Sequence, residues 1–334
     1  MNRESWAKVA PQSGRFGLDL TTPAGCPRAT PSILVLTGGD PERAPSGSGS
    51  VKSLSRAFEN VGIQTIIREI GDSRPVRVDG AFIRTLTEVG GEAHRIAEEF
   101  ELAGLPVLDR PASIVRGCDK VYQAMLFGLA GVPTPRTALV TAVAHAKSAQ
   151  QRIGSWPVVV KDPKGSFCSG VTVAHTREEL EAAVEQQCRN VGGAVLQGFV
   201  ASEFDWRIGV LDDEILFAAK YWMAAGSWKI RDERLDGVRW GNCTPVPVGE
   251  VPAPVKQAAL AASRATGAGL WGIDIKLVGD EAVVIEINDN PNIDDDVEAA
   301  IEVDRVWPRL VEWFALRIKN ERGQHLGAAA ALAA

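Results

Sequence analysis

The chain has 334 residues, with 36 basic against 42 acidic side chains, a net charge of −6, and 45% hydrophobic residues that include nine tryptophans. That is enough apolar material for two or three packed subdomains. No dense basic run supports non-specific nucleic-acid binding, and no apolar run approaches the roughly 20 residues a bilayer span needs. Five cysteines, odd in number and without CxxC spacing, argue against a zinc site or a disulfide framework, so a reducing, cytoplasmic setting is expected.

Residues 1–30 hold scattered Pro, Gly, Thr and Arg without periodicity and read as an irregular leader. Ile33-Leu34-Val35-Leu36 predicts a buried parallel strand. A Gly38-Gly39 turn without GxGxxG spacing follows, then a helix over 51–60 and a strand over 63–69, which together make a βαβ pattern. A third strand over 80–83 runs into Arg84. Ligands gather at such strand ends, so Arg84 is a candidate grip for a substrate carboxylate and equally a surface arginine in an ion pair. A helix over 91–103, a short strand over 105–108 and a connection over 111–116 complete this part.

From Asp119 the pattern predicts a helix through Lys120 and Leu129, stopped at Gly131-Val132-Pro133, and then an extended segment over 135–140. A strand over 156–161 ends in Lys161, which presents an ammonium at the strand terminus. The loop Gly165-Ser166-Phe167-Cys168-Ser169-Gly170 has backbone N–H groups and hydroxyls that suit phosphate oxygens, although an ordinary hairpin turn has the same composition, and the Walker order is missing. A strand over 171–174 and a helix over 178–187 follow.

Strands are then expected over 194–200, 203–210 and 215–220. In the middle one Glu203, Asp205 and Arg207 share a face, as a polar stripe with a task or as a structural ion pair. Residues 224–242 place Lys229, Arg231, Arg234 and Arg239 beside Trp222, Trp228 and Trp240, which predicts a mobile cationic flap. A linker over 245–254 and an Ala-rich helix over 253–267 lead into a hairpin, Gly269 to Asn292. Alternation there turns Trp271, Ile273, Ile275, Leu277, Val283, Ile285 and Ile287 toward a core and Asp274, Glu286 and Asn288 the other way. Two carboxylates and an amide oxygen suit magnesium, which leaves positions for water and phosphates; a solvated strand face would carry such residues too. A terminal helix over 306–318 and a low-complexity tail close the chain.

Taken in order, the lysines, the Gly/Ser loop, Gln197 to Val200, Asp205-x-Arg207, GIDI and VIEINDNPNI resemble the ATP-grasp superfamily, most closely its RimK-like carboxylate–amine ligases, over residues 79–318. The resemblance implies an α/β (α+β) ATP-grasp fold with an N-terminal α/β domain over 31–118, a central lid over 119–192 and a C-terminal antiparallel-sheet domain over 193–320. Residues 1–30 and 321–334 flank these parts, and ATP lies between two sheets.

It also implies roles. Lys120 and Lys161 meet phosphates, with Gly165, Ser166, Ser169 and Gly170 in the covering loop. Gln197, Gly198, Phe199 and Val200 form the adenine hinge, and Asp205 meets the ribose. Asp274, Glu286 and Asn288 hold two Mg2+ ions, for which Mn2+ substitutes. Arg207, Lys229 and Asn288 act in catalysis. Apart from the resemblance, the cations Arg84, Arg207, Lys220 and Lys229 are candidates to hold a substrate by its carboxylates. Gly198 and Lys229 depart from the family pattern, which shifts base recognition toward the backbone and removes a bidentate arginine.

The activity implied is amide-bond formation through an acyl phosphate, with ADP and phosphate released and an amino acid or short peptide as substrate. The alternatives are an ATP-binding regulatory protein on the same fold and a carboxylate kinase. The expected partners are small carboxylates and amines, with neither nucleic acid nor membrane, and a homo-oligomer is compatible with the sequence.

Overall fold

The computed structural model describes residues 30–38, 48–165, 170–234 and 237–332. The leader over 1–29, Ser166 and Ser169 lie outside them. Packing divides the chain into two compact units, one of residues 1–111 with 307–334 and one of residues 112–306. Among the described residues no helix is long and apolar enough to cross a membrane.

In the first unit, β1 (Ser32–Thr37), α1 (Ser48–Asn60), β2 (Gln64–Glu69), β3 (Ala81–Ile83), α2 (Glu92–Leu102) and β4 (Val107–Leu108) build a parallel sheet in the order β2-β1-β3-β4. The inner strands β1 and β3 are apolar and buried almost throughout, as a parallel sheet covered on both faces requires. The terminal helix, Val303–Leu332, is longer than predicted and contributes Phe314, whose ring centroid lies 5.7 Å from those of both Phe58 and Phe82.

At the unit boundary α3 (Pro111–Gly117) replaces the predicted connection. Pro111 is its first residue, where the fixed φ suits a helix start and no N–H is needed. In the second unit, α4 (Lys120–Ala130) is capped by the Asp119 side chain, which accepts from the N–H groups of Val121 and Tyr122. Next come β5 (Thr137–Val140), α5 (Ala146–Ile153), β6 (Val158–Lys161), β7 (Val171–Ala174), α6 (Arg177–Val191) and β8 (Ala194–Gly198). They form an antiparallel sheet, β5-β8-β6-β7, with Ile153, Leu180 and Val184 of the helices packed on Val158, Val160 and Leu196.

The second sheet of this unit contains β9 (Phe204–Leu211), β10 (Glu214–Trp222), β13 (Cys243–Val246), β14 (Leu270–Val278) and β15 (Glu281–Asp289), ordered β13-β10-β9-β14-β15. The segment predicted as a loop instead forms a two-stranded hairpin, β11 (Arg231–Arg234) with β12 (Gly237–Trp240). The predicted linker begins inside β13. Pro245 is tolerated there because β13 is an edge strand and needs no inward N–H. Helix α7 (Ala253–Thr266) lays Val255, Ala258, Ala259 and Ala262 on Trp206, Ile208, Trp271, Ile273 and Ile275.

The β14–β15 hairpin departs from strict alternation. Asp274 pairs with Glu286 but the next residue, Ile275, pairs with Val284, so Ile285 is an extra residue in a β-bulge. Val284 and Ala282 therefore enter the core in place of the predicted Ile285 and Val283, which are half-buried on the side of Lys276 and Glu286.

Phe314→Ala removes the ring shared by Phe58 and Phe82 and is expected to lower stability by about 3–5 kcal/mol. The midpoint of a urea unfolding curve checks it.

Candidate active site

With α7 on one face of the five-stranded sheet, strand alternation sends a set of charged side chains to the other. Arg207 of β9 is paired with Asp274 of β14, which lies opposite Glu286 of β15. The Arg207 Nε is 2.8 Å from Asp274 Oδ1, and its Nη2 donates to Oδ2 at 3.2 Å. Asn288 Nδ2 donates to the same Asp274 Oδ2 at 3.2 Å and to the Gly272 carbonyl at 3.4 Å. One step along the ladder, Lys276 meets Asp205 at 2.6 Å and donates to the Ser202 hydroxyl.

Helix α4 closes this array. Because Asp119 caps it, Lys120 is its first residue; the ammonium donates to Glu286 Oε1 at 3.0 Å and to the Gly165 carbonyl at 2.5 Å. Gln123, one turn on, docks the helix by donating to the Ile287 carbonyl at 2.8 Å and accepting from the Ile287 N–H at 3.3 Å.

Burial sets the electrostatics. It pushes Lys161 below the usual lysine range, against the attraction of Glu286. Burial alone would raise Glu286, yet Lys120 and Lys161 outweigh it and hold that carboxyl below the usual range. Asp274 goes the other way, to about 6, because burial and the nearby Asp205 and Glu286 outweigh the pull of Arg207. For Arg207 the burial penalty is overcome by Asp274, and the guanidinium remains charged.

Asp274 Oδ1 is buried and accepts no hydrogen bond; Arg207 Nε is close enough for an ion pair but is misaligned. Among the described residues no three His, Cys, Asp or Glu side chains form a metal cage. Two carboxylates and an amide, one carboxylate oxygen without a hydrogen bond, are a donor set that fits a hard cation taking its other ligands from water and phosphate.

The remaining sequence-predicted residues fall in several places. The Gly170 carbonyl accepts from the Asp162 N–H at 3.0 Å and Gln187 Nε2 at 2.9 Å. Gln197 Nε2 donates to Thr137 Oγ1 at 3.2 Å. The N–H groups of Gly198 and Phe199 donate to the carbonyls of Arg136 and Pro157, whereas that of Val200 has no partner among the described residues. Lys229 reaches the four-stranded sheet and donates to the Val171 carbonyl of β7 at 2.6 Å.

Lys220 pairs with Trp206 and lies 4.7 Å from the Phe204 ring centroid, on the sheet face opposite Arg207 and Asp274, and so is not brought together with them. Arg84 belongs to the first unit. It is buried beside the Phe82 ring and not a surface arginine.

Sequence reasoning missed Lys276, although its position two residues past Asp274 places it on the same strand face. It also missed Tyr221 and Glu298. Tyr221 stacks 4.9 Å from the Arg207 guanidinium, and its hydroxyl donates to Glu298, 77 residues away, a pairing with no local signal.

Comparison with known proteins adds the following. The family model of the RimK-like ATP-grasp domain matches residues 117–307. A probable alpha-L-glutamate ligase of Pseudoalteromonas translucida is 26% identical over 201 residues, 60% of this chain and 64% of that protein. The probable alpha-L-glutamate ligase 1 of Shewanella denitrificans is 26% identical over 251 residues, 75% of this chain and 82% of that protein. The chain thus spans somewhat less than two thirds of the first relative and more of the second. In fold it is similar to the D-alanine–D-alanine ligase of Bacillus anthracis in complex with ATP, with a TM-score of 0.63, 15% identity, and coverage of 89% of this chain and 100% of that one.

Gly272 gives Arg207 its room: a Cβ there would stand 2.8 Å from Arg207 Nη1 and 2.7 Å from Pro291 Cβ. Gly272→Ala is expected to displace the guanidinium and to cost about 1–3 kcal/mol of stability. Denaturant unfolding reads the cost, and a crystal structure of the variant reads the displacement.

Proposed function

Because the chain belongs to the RimK-like ATP-grasp family, we propose that it is an ATP-dependent carboxylate–amine ligase acting on an amino acid or short peptide. The observation that carries this reading is the convergence of Lys120 from α4 with Glu286, Asp274 and Asn288 from the hairpin on one buried sheet face. The division into an N-terminal domain, a lid over 119–192 and a C-terminal part belongs to the same proposal, as do the residue roles.

A carboxylate is a poor electrophile at neutral pH. In the proposed reaction one of its oxygens attacks the γ-phosphorus of ATP and ADP leaves, which gives an acyl phosphate. The amine nitrogen then attacks the carbonyl carbon, the carbon–oxygen bond breaks, inorganic phosphate leaves with the electron pair, and the amine proton passes to solvent. Phosphoryl transfer of this kind depends mainly on positioning and charge stabilisation.

Lys120 and Lys161 bind the phosphates, and Arg207 meets the phosphoryl group in transfer. The hinge over 197–200 offers adenine the Val200 N–H, which has no partner among the described residues, and Asp205, steadied by Lys276, faces the ribose. Asp274, Glu286 and Asn288 would hold magnesium, which supplies neutralisation of phosphate charge. Lys229, bound to the Val171 carbonyl beside Gly170, steadies the lid in place of the acyl contact expected of it. The relatives named as glutamate ligases favour L-glutamate as the first amino acid to test.

Incubation with Mg-ATP, L-glutamate, pooled amino acids and short peptides is expected to yield ADP and a product whose mass equals two substrates minus water. AMP would overturn the acyl-phosphate chemistry, a stable phosphorylated product would indicate a kinase, and tight ATP binding without turnover would indicate the regulatory protein. Glu286→Gln is expected to abolish ADP release while ATP binding, read by calorimetry, persists.

With Asp274 at about 6, metal binding below that pH must displace a proton. The apparent affinity for Mg2+ is therefore expected to rise between about pH 5 and about pH 7 and then level off. Titration calorimetry in buffers of different ionisation enthalpy reads both the affinity and the released proton.

A further inference from the structure

The ion pair with Asp274 leaves Arg207 incompletely fixed. Its Nε–Oδ1 approach, at 2.8 Å, is out of hydrogen-bond alignment, and a single donor, Nη2, bonds Oδ2. A guanidinium is planar, and its usefulness toward a phosphoryl group depends on which way that plane faces. The Tyr221 ring lies 4.9 Å from the guanidinium carbon, close enough for the ring to set the plane. Tyr221 is in turn held by its hydroxyl, which donates to Glu298.

Glu298 is 3% exposed, and its second oxygen accepts from the Asp294 N–H at 2.9 Å. A carboxylate buried this deeply is costly unless it is bonded and has a task, and the reaction proposed above gives it none. Burial also pushes the Tyr221 phenol far above its usual range, with Glu298 adding to the effect, so the hydroxyl keeps the proton it donates.

We propose that Tyr221 and Glu298 are positioning residues that orient the Arg207 guanidinium against Asp274. The chain of contacts runs from the 290–302 segment through Glu298 and Tyr221 to Arg207, and from there to the carboxylate that would bind metal. The proposal rests on the reading of Arg207 as the cation that meets the transferring phosphoryl group.

The test compares the full chain with Tyr221→Phe, which keeps the ring and removes the hydroxyl, with Glu298→Gln, and with the two combined. With Mg-ATP and L-glutamate, each single variant is expected to lower kcat for ADP release by about tenfold with the KM for ATP within about twofold. The combined variant should lose no more than either alone, because both act through one chain of contacts.

Side-chain arginine NMR supplies a readout independent of turnover, with the Arg207 signal assigned by its loss in Arg207→Lys. Hydrogen exchange at the Arg207 Nε–H is expected to speed up by about tenfold in both single variants. Unchanged exchange in correctly folded Tyr221→Phe and Glu298→Gln would overturn the proposal whether or not L-glutamate is a substrate. If exchange speeds up while Arg207→Lys leaves ADP release intact, the positioning stands and the catalytic reading of Arg207 fails. If Arg207→Lys stops ADP release and the two variants leave kcat unchanged, the positioning proposal fails and the reading of Arg207 survives.

Discussion

The ion pair of Lys120 with Glu286 is the interaction around which the second unit is arranged. It joins residues 166 positions apart, and the same ammonium also holds the Gly165 carbonyl, so helix, hairpin and loop meet at one nitrogen. Removing a charge from water costs several kcal/mol, which the partner must offset. On this face three carboxylates each have a cation: Lys120 for Glu286, Arg207 for Asp274, Lys276 for Asp205. The pairs that hold the chain together alone are also the groups that would separate into metal ligands and phosphate ligands. On the proposed reading, binding would exchange partners among charges already in place.

Much of this was legible because the strongest signals are local. The hairpin declares itself through alternation on both sides of Val278-Gly279-Asp280-Glu281, so the shared face of Asp274, Glu286 and Asn288 was readable from spacing, and the start of α4 was readable at Asp119, whereas Lys120 was singled out only by the family resemblance. The β1–α1–β2 pattern was visible for the same reason. What escaped depends on distant partners or on rare local chemistry. Tyr221 and Glu298 meet only when the chain is folded, and Phe314 joins Phe58 and Phe82 across most of the sequence. Pro111 opens a helix and Pro245 sits in an edge strand, two of the few places where proline does not break structure. The face that Lys220 occupies depends on its pairing with Trp206, which no local pattern announces.

Lys229 shows how a departure in sequence can accompany a change of position. An arginine at that place would offer two parallel donors to an oxyanion, whereas the lysine ammonium finds one backbone carbonyl, that of Val171, beside the Gly170 end of the loop. The Trp228 ring next to it meets Phe199 edge-on at 5.9 Å, so the segment before β11 touches both the residues just after β8 and β7 itself.

The bulge at Ile285 shapes the face it was expected to leave alone. With Val284 and Ile287 directed inward, Val283 and Ile285 stand outward beside Lys276 and Glu286. The face therefore carries two aliphatic side chains among its charges, with Val283 directly opposite Lys276 and Ile285 next to Glu286. Apolar contact and charge are interleaved along the same edge of the sheet. One inserted residue thus turns a face of alternating polar groups into a mixed one.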